Sequence, residues 1–247
     1  MRLTHLLAGP LAGAALLALS LAPGQAHDLW LTPAPGGVAL HLGHVHEPTL
    51  PTPDKLVHLS ALSARGSTAL AAKAEAGAPI LTAALAGPGD VLVSAAYDSG
   101  FWVRTRAGEW RNADRRAVPE AERSQWSMKF AKVVLGPEAP WDRVLGQTLE
   151  IVPLEAPTRA AAALRVRVLF EGRPVAGAEI AVTSGEAAEA TRVTADAEGV
   201  AQVPLAQAGQ QILAVGHRVK PSRTPALADA DSYTASLAFT TAESRTN

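Results

Sequence analysis

The segment that decides the fold class reads Leu164-Arg165-Val166-Arg167-Val168-Leu169-Phe170. Apolar and charged residues alternate along it, which is the period of a half-buried β-strand. The turn residues Glu171-Gly172-Arg173-Pro174 follow, and Glu179-Ile180-Ala181-Val182-Thr183 resumes the strand pattern. A strand, a short turn and a returning strand predict β-structure in this half of the chain.

The same pattern extends in both directions from this segment. Further strand-like runs occupy residues 38–42, 55–59, 90–95, 126–133, 200–205, 211–215 and 233–239. Short strands with frequent turn signals favour β-sandwiches with Greek-key connections. We therefore expect an all-β protein made of two immunoglobulin-like β-sandwich domains. The proline-flanked connector at residues 153–158 separates an N-terminal β domain (27–155) from a C-terminal sandwich (160–242).

The composition excludes several classes of function. The 247 residues include 22 Lys and Arg, 23 Asp and Glu, and no cysteine. A formal charge of -1 gives no general attraction to nucleic acid or to an anionic membrane. The absence of cysteine excludes disulfide scaffolds, iron–sulfur ligation and thiol catalysis.

The first 26 residues have the pattern of a secretory signal peptide. Arg2 gives a positive start, residues 6–22 are mostly apolar, and Gly24-Gln25-Ala26 supplies small residues near the cleavage position. A retained membrane anchor is the alternative, but the apolar run is short and contains Pro10. We expect cleavage after Ala26 and a soluble periplasmic protein with no membrane insertion.

Cleavage at this position makes His27 the first residue of the mature chain. An N-terminal histidine can bind one metal ion through both its α-amine and its imidazole Nδ1. The α-amine of a mature chain has a pKa near 8. Nitrogen ligands of this kind suit copper and nickel. The alternative is that the cleavage position falls before a histidine by coincidence.

Further histidines follow at positions 41, 44, 46, 58 and 217. His44 and His46 would fall on the same face of an extended chain, with His41 close by and Glu47 and Asp54 as oxygen ligands. The alternative is a solvated histidine-rich loop. Taken alone, His217 is more typical of a hydrogen-bonded histidine than of a ligand, and His58 is expected to be structural.

Nothing in the sequence favours an enzyme. The chain has no Gly-x-Ser-x-Gly elbow and no phosphate-binding glycine loop. The paired carboxylates Asp229 and Asp231 fall in a polar, turn-like stretch, where burial is not expected to raise a carboxyl pKa. A copper oxidase that uses His27 as part of a brace would need a second histidine near the His27 amine.

Several segments together resemble a known family. They are residues 26–31, 97–102, 128–132, 145–154, 194–199, 216–219 and 231–239. The chain resembles a secreted bacterial family of otherwise unknown function that is associated with nickel and cobalt uptake. The resemblance implies a periplasmic location and a C-terminal half similar to immunoglobulin or transthyretin sandwiches. It also implies His27 and His217 as a pair, whereas His41, His44 and His46 look particular to this chain.

The leading expectation is a periplasmic protein that binds a divalent transition metal, nickel or cobalt with copper as the alternative. Its metal ligands are expected among His27, His41, His44, His46 and His217. Its partner is expected to be a metal-uptake membrane transporter or an outer-membrane receptor. The rival expectation is a non-catalytic structural or protein-docking sandwich that needs no metal.

Overall fold

The computed structural model describes residues 28–45, 47–78, 80–87, 89–159, 162–185, 190–205 and 208–241. These residues contain two short 3-10 turns, Pro53–Lys55 and Pro157–Arg159, and no α-helix. The all-β fold class is confirmed. The expected signal peptide, residues 1–26, lies outside the described residues.

The strands account for most of the described chain. They are β1 (Asp28–Ala34), β2 (Gly37–His44), β3 (Glu47–Thr49), β4 (Leu56–Ser63), β5 (Gly66–Ala69), β6 (Ala72–Ala74), β7 (Leu81–Ala84), β8 (Val91–Arg104), β9 (Trp110–Arg111), β10 (Arg123–Leu135), β11 (Leu149–Pro153), β12 (Ala163–Phe170), β13 (Arg173–Pro174), β14 (Glu179–Ser184), β15 (Thr191–Thr194), β16 (Val200–Pro204), β17 (Gly209–Val219) and β18 (Ala230–Thr241).

The described strands form three sheets. The N-terminal sheet has the order β1-β2-β7-β6, with β3 also paired to β2. The central sheet has the order β15-β14-β17-β18-β10-β8-β4-β5, with β9 on β8. The C-terminal sheet has the order β11-β12-β13, with β16 also paired to β12. The predicted domain division at residues 155–160 stays a prediction. Strands from both sides of this division pair with one another in the central sheet.

A parallel pair joins the two halves of the central sheet. Strand β10 pairs with β18 from Gln125↔Ala230 to Val133↔Ala238. The other pairings in this sheet are antiparallel. A parallel pair is typically buried on both faces, and almost every residue of β18 is buried.

Each face of the central sheet carries its own core. Phe130 and Leu237 pack in the C-terminal core, between the central and C-terminal sheets. Ala131 and Ala238 pack in the N-terminal core, between the central and N-terminal sheets. Alternate residues of one strand therefore serve two different cores.

Strand β1 is held against the middle of the central sheet. It contacts both β10 and β18, and Leu29 and Leu31 of β1 are buried. The buried hydroxyl of Ser236 on β18 donates a hydrogen bond to the Leu29 carbonyl oxygen at 2.6 Å. This bond holds β1 against β18 at Leu29, the second residue of β1.

A buried ion pair links β10 to the C-terminal sheet. Lys132 Nζ lies 3.0 Å from Glu150 Oε1, and each side chain is 1% exposed. The Glu150 carboxylate also accepts the backbone N–H groups of Leu145 at 2.7 Å and Gly146 at 3.2 Å. These three charge-assisted hydrogen bonds offset part of the cost of burying the two charges.

The part of the chain that the structure describes contains no apolar helix of membrane-spanning length.

The first prediction concerns the buried pair. Lys132→Met should lower the free energy of unfolding by about 3–5 kcal/mol, because it leaves the Glu150 charge buried without its cation. The double variant Lys132→Met/Glu150→Gln should lose less than the sum of the two single variants, since no buried charge remains. Urea denaturation measures all three values.

The exposed pair of Arg159 and Glu138 provides the control, since both side chains are more than 60% exposed. Arg159→Met should cost less than about 1 kcal/mol. Strictly additive effects of the two buried substitutions would contradict the assigned role of the Lys132–Glu150 pair.

Candidate functional site

The candidate site lies at the end of the N-terminal sheet where three strands meet. Strand β1 begins at Asp28, opposite Gly43 of β2, and β2 ends at His44, opposite Glu47 of β3. Gly43 has a φ of +114, and a Cβ atom there would lie 2.7 Å from the Glu47 carbonyl oxygen. Glycine is therefore required for β3 to approach β2. The end of β2 lies between β1 and β3.

His44 and Glu47 form a polar cross-strand pair at this end. Directly opposite residues share one face of an antiparallel pair, with Cβ atoms about 5 Å apart. The expectation that His44 and His46 share a face of an extended chain stays a prediction, because it depends on His46, and the described pairing is that of His44 with Glu47. His27 and His46 lie outside the described residues. Asp54 lies on the 3-10 turn that follows β3.

His41 is engaged in a contact with the neighbouring strand. Its ring stacks on Trp30 with centroids 5.0 Å apart and an interplanar angle of 10°. Its Nε2 lies 2.8 Å from the Thr32 hydroxyl oxygen. Burial lowers the pKa of His41, which favours the neutral ring. His41 is three residues from His44 on the same strand, so the two side chains point to opposite faces.

His217 lies on a different sheet from the other described histidines of the predicted site. It belongs to β17, and its ring packs against Phe170 at a centroid distance of 4.4 Å. Phe170 packs on the C-terminal core, on the far side of the central sheet from β1 and β2. Burial lowers the pKa of His217. The described chain therefore does not bring His217 together with His41 or His44.

The described histidines do not by themselves complete a metal site. Among the residues that the structure describes, no three His, Asp or Glu side chains converge closely enough to hold a metal ion. The arrangement at the end of β2 consists of one imidazole, His44, and one carboxylate, Glu47. A third donor would have to come from β1 or from the segment that precedes it.

Two charged residues next to this end were missed by sequence reasoning. Burial raises the pKa of Asp28 to about 6, while the charges of Lys129 and His44 oppose the rise. Burial lowers the pKa of Lys129 to about 8, and the charge of Asp28 opposes that change. The available signal was a lysine in the middle of the strand-like run 126–133, which places an amine inside a sheet.

Lys129 belongs to a buried polar group beneath the start of β1. Its Nζ donates to the Ser127 hydroxyl at 3.5 Å, and its cross-strand partner on β18 is Thr234. All three side chains are at least nine-tenths buried. Asp28 interacts electrostatically with this group from β1. The end of the N-terminal sheet therefore stands over a buried cation.

Asp231 is a buried anchor, which corrects the sequence expectation. It lies in β18 and is fully buried, whereas its segment was expected to be a polar turn. Its carboxylate accepts hydrogen bonds from the Ser222 hydroxyl at 2.6 Å and the Arg223 backbone N–H at 3.1 Å. The Tyr233 hydroxyl also lies 3.4 Å away. These bonds hold the loop between β17 and β18.

Comparison with known proteins places the chain in a family. Residues 24–219 match the family described as Domain of unknown function (DUF4198). The chain belongs to this family. The match includes all of β1, β2, β3, β10 and β17, so the DUF4198 region contains the three strands that meet at the candidate site.

A bacterial relative supports the same assignment. The chain is 32% identical over 171 residues to an uncharacterized protein of Haemophilus influenzae, and the match covers 68% of this chain and 72% of the relative. Neither DUF4198 nor this relative carries a described activity. An association with nickel or cobalt is therefore supported by the family resemblance and the histidine residues, and these two comparisons do not address it.

The second prediction concerns Asp28. In the folded protein its carboxyl keeps a proton up to about pH 6, whereas in the unfolded chain it ionises near 3.8. The wild type should therefore lose stability relative to Asp28→Asn as the pH rises from about 4 to about 6. The free energies of unfolding, measured by urea denaturation in metal-free buffer at successive pH values, give the difference. A difference that stays constant across this window would contradict the burial of Asp28.

Proposed function

We propose that this protein binds a divalent transition metal, nickel or cobalt with copper as the alternative, and assists its uptake in the periplasm. The metal is the cargo of the protein. Its ligands are the amine and imidazole of His27, the imidazole of His44 and the carboxylate of Glu47. The proposed partner is a metal-uptake transporter or outer-membrane receptor, and no catalytic step is involved.

The observation that carries the proposal is the strand register at the end of the N-terminal sheet. Asp28 pairs with Gly43, and His44 pairs with Glu47. His27 directly precedes Asp28 in the chain, and Asp28 lies opposite Gly43, the neighbour of His44. The paired His44 and Glu47 therefore lie at the end of the sheet where the described chain begins, next to the residue that follows His27.

The chemistry of these donors suits the proposed cargo. An α-amine and an imidazole from one residue form a chelate ring, and a second imidazole extends the nitrogen set. Imidazole and carboxylate ligands suit first-row divalent metals, whereas thiolate sites are excluded by the absence of cysteine. The proposal requires removal of residues 1–26, because only then does His27 carry a free amine.

The remaining histidines of the predicted ligand set have other roles. His41 stacks on Trp30 and stabilises the β1–β2 pair, so it acts on the site through the strand rather than as a ligand. His217 contacts Phe170 in the other core and is not needed. His46 follows His44 closely in sequence and is an alternative metal ligand to His44. The two immunoglobulin-like domains, 27–155 and 160–242, remain part of the proposal.

The third prediction tests the ligand set. Protein that starts at His27 should bind Ni²⁺ or Co²⁺ in a calorimetric titration at neutral pH. His44→Ala should weaken this binding at least tenfold, equivalent to about 1.4 kcal/mol or more, because it removes one nitrogen ligand. His58→Ala is the matched control, since His58 lies on β4 and hydrogen-bonds Ser60 at 2.9 Å. The control should bind like the wild type.

A chain with one extra alanine before His27 tests the amine separately. It keeps every side chain but moves the free amine away from His27, so the six-membered chelate ring of the His27 amine and Nδ1 no longer forms and the affinity should also fall at least tenfold. Binding should weaken as the pH falls through about 6.5, since protonated imidazole does not ligate. Failure of correctly processed protein to bind Ni²⁺, Co²⁺ or Cu²⁺ would leave the docking-module alternative.

A further inference from the structure

A second polar region lies on the central sheet beside the start of β1. The strand register sets Gly216 of β17, Thr234 of β18 and Lys129 of β10 in one row across the sheet. Gly216 is exposed, and a Cβ atom there would meet no atom nearer than the Tyr233 carbonyl oxygen at 3.9 Å. The face of the sheet is therefore open at the β17 end of this row.

Thr234 lies in this row with an unused hydroxyl group. The residue is 6% exposed, and its Oγ1 has no hydrogen-bond partner within the described structure. A buried hydroxyl without a partner lowers the stability of the folded protein. Valine has nearly the same shape and would avoid this cost. The register places Thr234 directly opposite Gly216, on the same face of the sheet.

Arg218 borders the same open space. It lies two residues beyond Gly216 on β17, on the same face of the strand, opposite Ser232. Its guanidinium reaches across β18 and donates to Gln125 Oε1 at 2.6 Å. No carboxylate lies within ion-pair distance of Arg218 in the described chain.

The charges around Arg218 are mostly positive. Arg123 lies close enough to act on the Arg218 guanidinium with a like charge. Asp229 is the nearby acid, but its carboxylate is engaged by Arg115 and by the Ser124 N–H and hydroxyl at 2.9 and 2.7 Å. Lys129 adds a buried cation, which the Asp28 carboxylate faces from β1. The region therefore carries excess positive charge.

We propose that this region, defined by Gly216, Arg218 and Thr234, binds a small oxyanion, a molecule that carries carboxylate or phosphate groups. Thr234 donates its hydroxyl and Arg218 its guanidinium N–H groups, while Gly216 leaves room for the ligand. Guanidinium and hydroxyl donors match the acceptor oxygens of such anions. This site is separate from the metal site of the preceding subsection and needs no metal.

The fourth prediction tests the oxyanion site on metal-free protein. Citrate and inorganic phosphate, titrated separately by calorimetry, distinguish a carboxylate ligand from a phosphate ligand. Binding of either anion should weaken at least tenfold in Arg218→Gln and in Thr234→Val, because each variant removes a donor. Thr234→Ser keeps the hydroxyl and should bind like the wild type. Arg143→Gln, at an exposed arginine on the loop after β10, controls for the loss of one positive charge.

A thermal measurement separates ligand binding from folding. Without anion, Thr234→Val should melt at a higher temperature than the wild type, since it removes a buried unpaired hydroxyl. With anion, the wild type should gain melting temperature and the variant should not. Absence of binding by both anions at millimolar concentration, or equal binding by all variants, would overturn the proposal.

Discussion

The parallel pairing of β10 with β18 is the constraint on which the rest of this structure depends. It joins strands from the two halves of the chain into one sheet, and both faces of that sheet are then covered by further sheets. Because the shared strands serve two cores, each must carry small or apolar side chains on both faces. The fold therefore tolerates few polar groups in these strands, and the polar groups that are present require an explanation.

The buried polar groups of β10 and β18 differ in how well they are partnered. Lys132 is matched by Glu150, and Ser236 is matched by a backbone carbonyl of β1, so these groups hold neighbouring sheets in place. Thr234 lies beside Lys129 beneath the start of β1, and its hydroxyl has no hydrogen-bond partner in the described structure. Natural proteins retain such incompletely satisfied groups mostly where a ligand or a function requires them. The two proposals therefore concern the same end of the molecule.

Sequence patterns predicted the strands well and their pairing poorly. The alternation of apolar and polar residues predicted the positions of β12, β14 and β18. Alternate side chains of each of these strands pack into a hydrophobic core. The β10–β18 pairing joins residues about one hundred positions apart, and no local pattern specifies such a partner. For the site, the sequence predicted that His41 and His44 belong to one ligand group, whereas their spacing of three on β2 puts the two side chains on opposite faces. The reversal of the chain after His44 and the burial of Asp28 depend on tertiary contacts that spacing does not encode.

The most direct measurement is anomalous diffraction at the nickel absorption edge from crystals of processed protein soaked in Ni²⁺. The account predicts one strong peak at the end of the N-terminal sheet, with the His44 imidazole and the His27 amine and imidazole nitrogens about 2 Å from the metal. A peak beside His217 in the other core, or an ordered His27 turned away from His44 with no metal bound, would contradict it.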